Sequence, residues 1–450
     1  MAIRERGRGL VSGAVVSGLL VTAAFAGASF LAWFALTPLL AALDRRRENF
    51  RALALQGAVF GIVLAAAGLP WRADPSGALL PEGVGGLLEG AFRAAPGWIV
   101  LALAGAAFGL AAGGLLGMRT RILAPTIAPA IAVTWAGLEA LLALCPPGLS
   151  PWPGGWLALG HAIPPEYPEA QLARITGVSG LSLAVALSSA FLHAGLRPDS
   201  KRWMIRFLFL ALSLGIPFAC RWTGSAAPSD DGGTVVMAGA VSAPGNDLDR
   251  IVSLAEAMTL NGPSFVAAPA LEGSRTPEEL KGVFEARAAG RESPALPLLV
   301  AGTESETLEA GEVLLGTHQI GVVHGAGSPA KTSLTLCYLT SSGAEALVII
   351  GRASEPAATA RWQRTFDAYR AIECGRHVIR SGAGAAIHAP SGRMLAGISP
   401  PLEGSVSTEI RPSAAATPYV EGLYLLGRLL ALFAGTFVIG AGLSFRERRA

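Results

Sequence analysis

The sequence predicts a multi-span helical membrane bundle of about eight spans carrying one extracytoplasmic α/β domain. Three observations predict it. The 450-residue chain is 52% hydrophobic and only 15% charged, where a soluble protein usually carries about a quarter charged residues. The apolar excess is gathered at the two ends, around a more ordinary stretch at about 222–420. The arginines, finally, cluster at intervals that match one side of a membrane.

A helix needs about 20 apolar residues to cross the ~30 Å hydrocarbon core. Segments of this kind lie at about 10–25, 27–43, 52–70, 97–117, 122–145, 174–195, 203–221 and 422–443. The first two come from one run too long for a single crossing, with Gly27 and Ser29 marking a place for the turn. That run also far exceeds the 7–15 residues of a signal-peptide core, so it is read as retained. With the N-terminus in the cytoplasm, every dense basic cluster falls on one side. These are Arg4, Arg6 and Arg8; DRRRENFR (Arg45, Arg46, Arg47, Arg51); Arg119 and Arg121; Arg197, Lys201 and Arg202; and Arg446, Arg448 and Arg449. The opposite loops hold only Arg72, Arg93 and Arg174, which is the positive-inside bias. The expected domains are 1–221 with seven spans, 222–420 outside the cytoplasm, and 421–450 as a last span with a cytoplasmic tail. GAAFG (Gly105–Gly109) has the spacing that permits close helix contact. Glycine and alanine are frequent throughout the spans, so chance or ordinary bundle packing explains it as well.

A net charge of +3 is too small to suggest a nucleic-acid partner. The four cysteines, Cys145, Cys220, Cys337 and Cys374, have no CxxC spacing, which argues against a metal site and against a disulfide framework. A Cys337–Cys374 disulfide stays open for a domain in an oxidising compartment. Nothing in the sequence calls for a cofactor.

From Thr234 the pattern changes to α/β. TVVMAGAVSA reads as a strand, DLDRIVSLAEAMTL as an amphipathic helix and PSFVAAPA as a second strand. TPEELKGVFEARAA follows as a helix with Thr276 as cap, Pro277 at its first position and Glu279 three residues after the cap. PLLVAG, EVLLGTH, SLTLCYL and ALVII read as strands, and RWQRTFDAYRAIECGR as a long helix. HVIRSGAGAAIHAP and SGRMLAGI read as a hairpin. Short, continuously apolar strands alternating with helices predict a sheet covered by helices.

Five segments then fall in a telling order: WFALTPLLAAL (Trp33–Leu43), TWAGLEALL (Thr134–Leu142), PWPGGWLALGHAIPPEYPEAQLARITGVSGLSLAVA, RAIECGRHVIRSGAGAAIHAPSGRMLAGI and TPYVEGLYLLGRLLALF. Together they resemble the apolipoprotein N-acyltransferases, membrane enzymes with a nitrilase-like domain of the carbon–nitrogen hydrolase superfamily. The resemblance implies a nitrilase-type αββα sandwich on the periplasmic side of a bacterial inner membrane. It also implies a Glu–Lys–Cys triad that moves an acyl chain from a phospholipid to the N-terminal cysteine of a lipoprotein.

The triad is incomplete. The family's nucleophile lies in a strand-end Cys-Tyr-Glu, which Cys337-Tyr338-Leu339 matches in its first two residues. Its base follows a proline at the end of the second strand, where this chain has Pro269-Ala270. Glu272 stands about 6–7 Å further along an extended strand, beyond the ~3 Å of a proton transfer, and is a base only if its loop rearranges. The family's lysine stretch is missing, and Lys331, six residues before Cys337, would lie about 20 Å from it along a strand. The family's Asn-Asp-x-Trp-Phe-Gly is replaced by IIGRASEPA. His318 and His324, read as loop histidines, are either solvated or partners in a Cys–His dyad.

Further binding candidates are Tyr338, Trp152 and Trp156 of PWPGGW, and Glu139. The tryptophans either line a path for lipid or sit at the bilayer interface. Glu139 is an acid inside a span, costly in lipid, and serves either the periplasmic site or a neighbouring helix. Arg370, Glu373 and Arg376, spaced i, i+3, i+6, are expected to form a structural ion pair. The expectation is a diverged relative with impaired chemistry, a binding or assembly component of the envelope of the plasmid conjugal-transfer kind. Its expected partners are membrane phospholipid, lipoproteins or conjugal-transfer envelope proteins. The alternative is an active acyltransferase working through a Cys337 thioester, with relocated base and lysine.

Overall fold

The computed structural model describes residues 12–68, 84–118, 124–143, 158–197, 203–224, 234–242, 247–259, 264–270, 277–288, 298–300, 309–315, 317–324, 329–351, 357–399, 402–422 and 425–447. The chain forms two compact units, Met1–Ser225 with Leu425–Ala450, and Ala226–Tyr424.

The first unit is helical: α1 (Ser12–Phe25), α2 (Thr37–Arg45), α3 (Phe50–Gly68), α4 (Val84–Gly117), α5 (Ala124–Ala143), α6 (Ala173–Leu196) and α7 (Trp203–Gly224). The C-terminal helix, given its number below, joins them. Among the described residues, four stretches are long and apolar enough to cross a membrane: Gly97–Gly117, Thr126–Ala143, Pro168–Leu196 and Trp203–Trp222. Ser12–Phe25, Phe50–Ala66 and Leu426–Gly440 are shorter apolar helices.

The predicted second span, 27–43, is not one helix. Gly27 turns the chain at φ 113°, a 3₁₀ segment covers Ser29–Phe34, and α2 then begins as a separate nine-residue helix with Pro38 in its first turn. Proline lacks an N–H and restrains the residue before it, so a helix starts there more easily than it continues. The backbone groups freed by the break are satisfied by serines of other helices. Ser189 donates to the Trp33 carbonyl at 3.0 Å and accepts from Leu36 N–H; Ser17 accepts from Leu39 N–H at 2.8 Å. This is how non-helical backbone survives inside an apolar bundle.

Helices α3 and α4 touch backbone to backbone. A Cβ at Gly57 would lie 2.0 Å from the Gly105 carbonyl oxygen, and one at Gly61 2.0 Å from that of Leu101. The Gly105–Gly109 spacing is therefore a packing surface, answered by Gly57 and Gly61 at the same spacing on α3.

The second unit holds two sheets. Strands β1 (Val236–Ser242), β2 (Phe265–Ala267), β3 (Leu298–Val300) and β10 (Gly404–Ile410) form one, in the order β10-β1-β2-β3. Strands β4 (Glu309–Leu315), β5 (His318–His324), β6 (Ala346–Ile350), β7 (His377–Ser381), β8 (Ala386–His388) and β9 (Met394–Gly397) form the other in sequential order. β1–β3 run parallel, as do β5–β7. The helices are α8 (Leu248–Thr259), α9 (Pro277–Ala288), α10 (Pro329–Ser341), α11 (Ala357–Cys374) and the short α12 (Pro418–Glu421); α13 (Leu426–Glu447) returns to the first unit.

Strand periodicity sorts the core. Ala346, Val348 and Ile350 of β6 meet Ala238, Phe265 and Ala267 of the other sheet in one buried cluster. Leu347 and Ile349 point the other way, against Leu336 of α10 and Ala371 of α11. Val241 and Val266 likewise pack on Ile251, Val252 and Met258 of α8. Side chains alternate across a strand, so a strand buried on both faces needs no polar position.

Two strands and one helix differ from the sequence reading. HQIGVVH is strand β5 and GSVSTEI is strand β10, neither of which the reading assigned. SLTLCYL, expected as a strand, lies in α10. Its buried positions, Leu336, Cys337, Leu339 and Thr340, follow the helical i, i+3, i+4 spacing. Gly343 at φ 115° ends the helix, with Gly343 N–H donating to Thr340 and Ala344 N–H to Leu339. That is a Schellman ending, which glycine allows because it has no Cβ.

Replacing Gly105 with valine is expected to push α3 and α4 apart. A loss of about 1–3 kcal/mol or more should appear as a lower melting temperature of the purified protein in detergent. Gly435→Val, where a Cβ meets nothing within 4 Å, should be nearly neutral.

Candidate functional site

The carboxyl ends of β2, β6 and β7 are drawn together by main-chain bonds. Ala270 N–H donates to Gly351 O at 2.9 Å, Gly351 N–H to Ser381 O at 3.1 Å, and Ala268 N–H to Val300 O at 2.8 Å. The Ser381 hydroxyl closes the seam on Ala268 O at 2.7 Å. β5 ends at the same edge, since Val323 registers with Ile349 and Ile349 with Arg380. Ligands of α/β sheets commonly bind beyond the carboxyl ends of parallel strands, so this is where a site belongs.

The described residues displayed there include Ala270, His324 and Arg380. Ala270, buried in the inter-sheet core, holds the position expected for a carboxylate. His324 ends β5 and precedes α10, so it, not Cys337, stands at a strand end. Among the described residues, a charged group at this edge is Arg380. It is held by Asp367 through both carboxylate oxygens, with Nη2 at 3.0 Å from Oδ1, and by Gln363 at 2.9 Å. A buried bidentate pair of this kind is spent on its own neutralisation.

Cys337 lies elsewhere, on the helix-covered outer face of the six-stranded sheet. Both it and Cys374 are free, buried thiols, and they hydrogen-bond to one another. No disulfide joins them. That contact first, and burial second, raise the Cys337 thiol above its ordinary value. The nearby charges are Arg370 and Glu373, which form the expected ion pair with each other. Arg376 is not part of it. Gly375 ends α11 at φ 65°, and Arg376 turns away to donate to the carbonyls of Ala344, at 2.7 Å, and Ala415.

The other candidates are dispersed. Tyr338 is 69% exposed on the opposite face of α10 from the core. His318 is bound to Glu345 at 2.6 Å, at the far end of β5 from His324, and makes no dyad with Cys337. Lys331 falls in the first turns of α10. Glu272, Trp152, Trp156 and Cys145 lie outside the described residues. In the first unit Glu139 is buried and accepts from Trp135 Nε1 at 2.5 Å and from Leu159 N–H at 2.9 Å. It thereby ties the 3₁₀ turn Leu159–Ala162 to α5, and Trp135 in turn packs edge-on to Phe60 and Phe108. Among the described residues no cluster of His, Cys, Asp and Glu suits a metal ion.

Residues 17–191 match the model of the apolipoprotein N-acyltransferase N-terminal domain. The chain thus carries an N-acyltransferase-like membrane domain, matched over less than half of its length. Among solved structures, an amidase of the nitrilase superfamily from Nesterenkonia AN1 is similar at 12% identity, over 44% of this chain and 95% of that one, with a TM-score of 0.28. A glutamine-dependent NAD+ synthetase from Acinetobacter baumannii is similar at 8% identity, over 44% of this chain and 51% of that one, with a TM-score of 0.32. No curated protein sequence matches the chain.

Two outcomes test this geometry. Cys337 should resist iodoacetamide at pH 8 in the folded protein and react once urea unfolds it. Because its folded pKa is raised, its contribution to stability is whole below about pH 8.5 and is lost as pH climbs beyond the unfolded value. Wild type should therefore lose melting temperature between pH 8 and 10 more steeply than Cys337→Ala. In the bundle, Glu139→Ala strands two buried donors and should cost about 1–3 kcal/mol, read as a lower melting temperature in detergent; Glu139→Gln, which keeps an acceptor, should cost less.

Proposed function

We propose that this chain is a diverged N-acyltransferase-like protein of the bacterial inner membrane that binds or assembles rather than catalyses. The observation that carries the reading is the strand-end edge itself. Alanine stands there in place of the base and histidine ends β5, while the nearest cysteine candidate is buried in a helix against a second thiol. Thiolate attack needs an ionised sulfur, an adjacent base and a donor for the oxyanion. A raised thiol beside a carboxylate already engaged by Arg370 supplies none of them.

In this reading the two sheets and their helices form the αββα sandwich of the nitrilase type on the periplasmic side. The bundle completes eight spans, and both termini are cytoplasmic. The partners are phospholipid and lipoproteins, or envelope proteins of a conjugal-transfer apparatus. The membrane-domain match and the arginine distribution support the first part. The layered packing and the vacated triad positions support the second.

The test is a paired one. Cys337→Ser should leave the biological function of the host envelope system intact, and intact-mass spectrometry of wild type with phospholipid should show no hydroxylamine-sensitive acyl adduct on Cys337. An acyl thioester on that sulfur, or loss of function in a folded Cys337→Ser variant, would sink the reading in favour of an enzyme.

A further inference from the structure

The membrane unit holds a second feature, remote in sequence from the strand-end edge and from Cys337. A cavity of about 770 Å³ opens where α2 and α6 end, and its lining includes Arg45, Arg46, Arg47 and Arg197 with His193. Two carboxylates, Asp44 and Glu48, share it. With the histidine neutral, the lining carries two more positive charges than negative ones.

Asp44 organises the wall. Its Oδ2 lies 2.5 Å from Arg197 Nη2 and 3.7 Å from His193 Nε2, and its Oδ1 lies 3.7 Å from Arg47 Nη1. One carboxylate therefore staples the end of α6 to the turn after α2, and holds two guanidinium groups at the cavity. Asn49 caps the start of α3 through Ala52 N–H at 3.1 Å, which fixes the other side of that turn. Leu196, 56% exposed, and Ala41 give the lining an apolar portion beside the arginines.

A rule of membrane insertion explains why arginines lie on this side, but not why they surround a cavity. Guanidinium groups match the oxygens of a phosphate in pairs. Basic pockets between membrane helices are known to hold anionic headgroups.

We propose that this cavity binds a phosphate-bearing anion, namely the headgroup of an anionic phospholipid whose acyl chains run along the Ala41 and Leu196 side. The site is independent of the strand-end edge and of any acyl transfer. It would anchor the α2–α3 turn, the segment that follows the broken second span, to one class of lipid.

The test uses the full chain in neutral detergent, with native mass spectrometry of added phosphatidylglycerol against phosphatidylcholine. Wild type should retain one phosphatidylglycerol in preference. Arg45→Gln/Arg46→Gln should bind it about tenfold or more weakly, while Arg250→Gln/Arg411→Gln, which removes the same charge from the other unit, should not. Inorganic phosphate separates the sources: displacement of the lipid, or stabilisation by phosphate alone, assigns the site to phosphate in general. Retained lipid in millimolar phosphate assigns it to the lipid headgroup. Equal retention of the two lipids by wild type, or equal loss in the two double variants, overturns the proposal. Should Arg45→Gln/Arg46→Gln fail to fold, the lipid preference of wild type decides alone.

Discussion

The hydrogen-bonded seam between the carboxyl ends of β2, β6 and β7 constrains everything else in the second unit. Ala270, Gly351, Ser381 and Ala268 are bonded through main-chain atoms, with one hydroxyl, so the seam tolerates many side chains while it fixes where they are displayed. A Cβ at Gly351 would meet Ser381 O at 2.6 Å and Arg380 Nη1 at 2.9 Å. The edge is thus closed tightly by glycine at one point and by a short alanine at another. A scaffold of this sort keeps its shape whichever side chains it displays, because its bonds are carried by main-chain atoms.

The same separation appears in the bundle. Its contacts are made by small residues and backbone carbonyls. Gly57 meets Gly105, Gly137 meets Leu430, and serines satisfy the carbonyls and amides exposed by the broken second span. Without a hydrophobic drive between helices in lipid, close backbone approach and hydrogen bonds do the holding. Glu139 fits this pattern, as an acid that accepts from an indole and a main-chain amide of its own unit.

Legibility in the sequence varied with the physics of each segment. The helices of the bundle other than α2, with α8, α9, α11 and strands β1, β2, β3 and β6, are readable because their apolar periods are long or uninterrupted. SLTLCYL misled because threonine, leucine and tyrosine suit a strand equally well. Only the glycine ending at Gly343 and Pro329 at the start mark it as a helix. Read as a strand, SLTLCYL leaves HQIGVVH a loop and puts the cysteine, rather than His324, at the strand end. GSVSTEI was missed because its polar serines and threonine hide a strand whose partner, β1, lies far away in sequence.

By itself the sequence determined a membrane protein with an α/β insert, because hydropathy and arginine spacing are sums over local composition and need no partner. It also displayed Pro269-Ala270 after the second strand and IIGRASEPA after β6, since the residues at a motif position can be read directly. Only the tertiary structure decided which residue stands at the strand end, that Cys337 faces Cys374, and that four arginines enclose a cavity. Each of these depends on contacts between segments distant in the chain, and a side chain's neighbours across a fold are not encoded in its own local period.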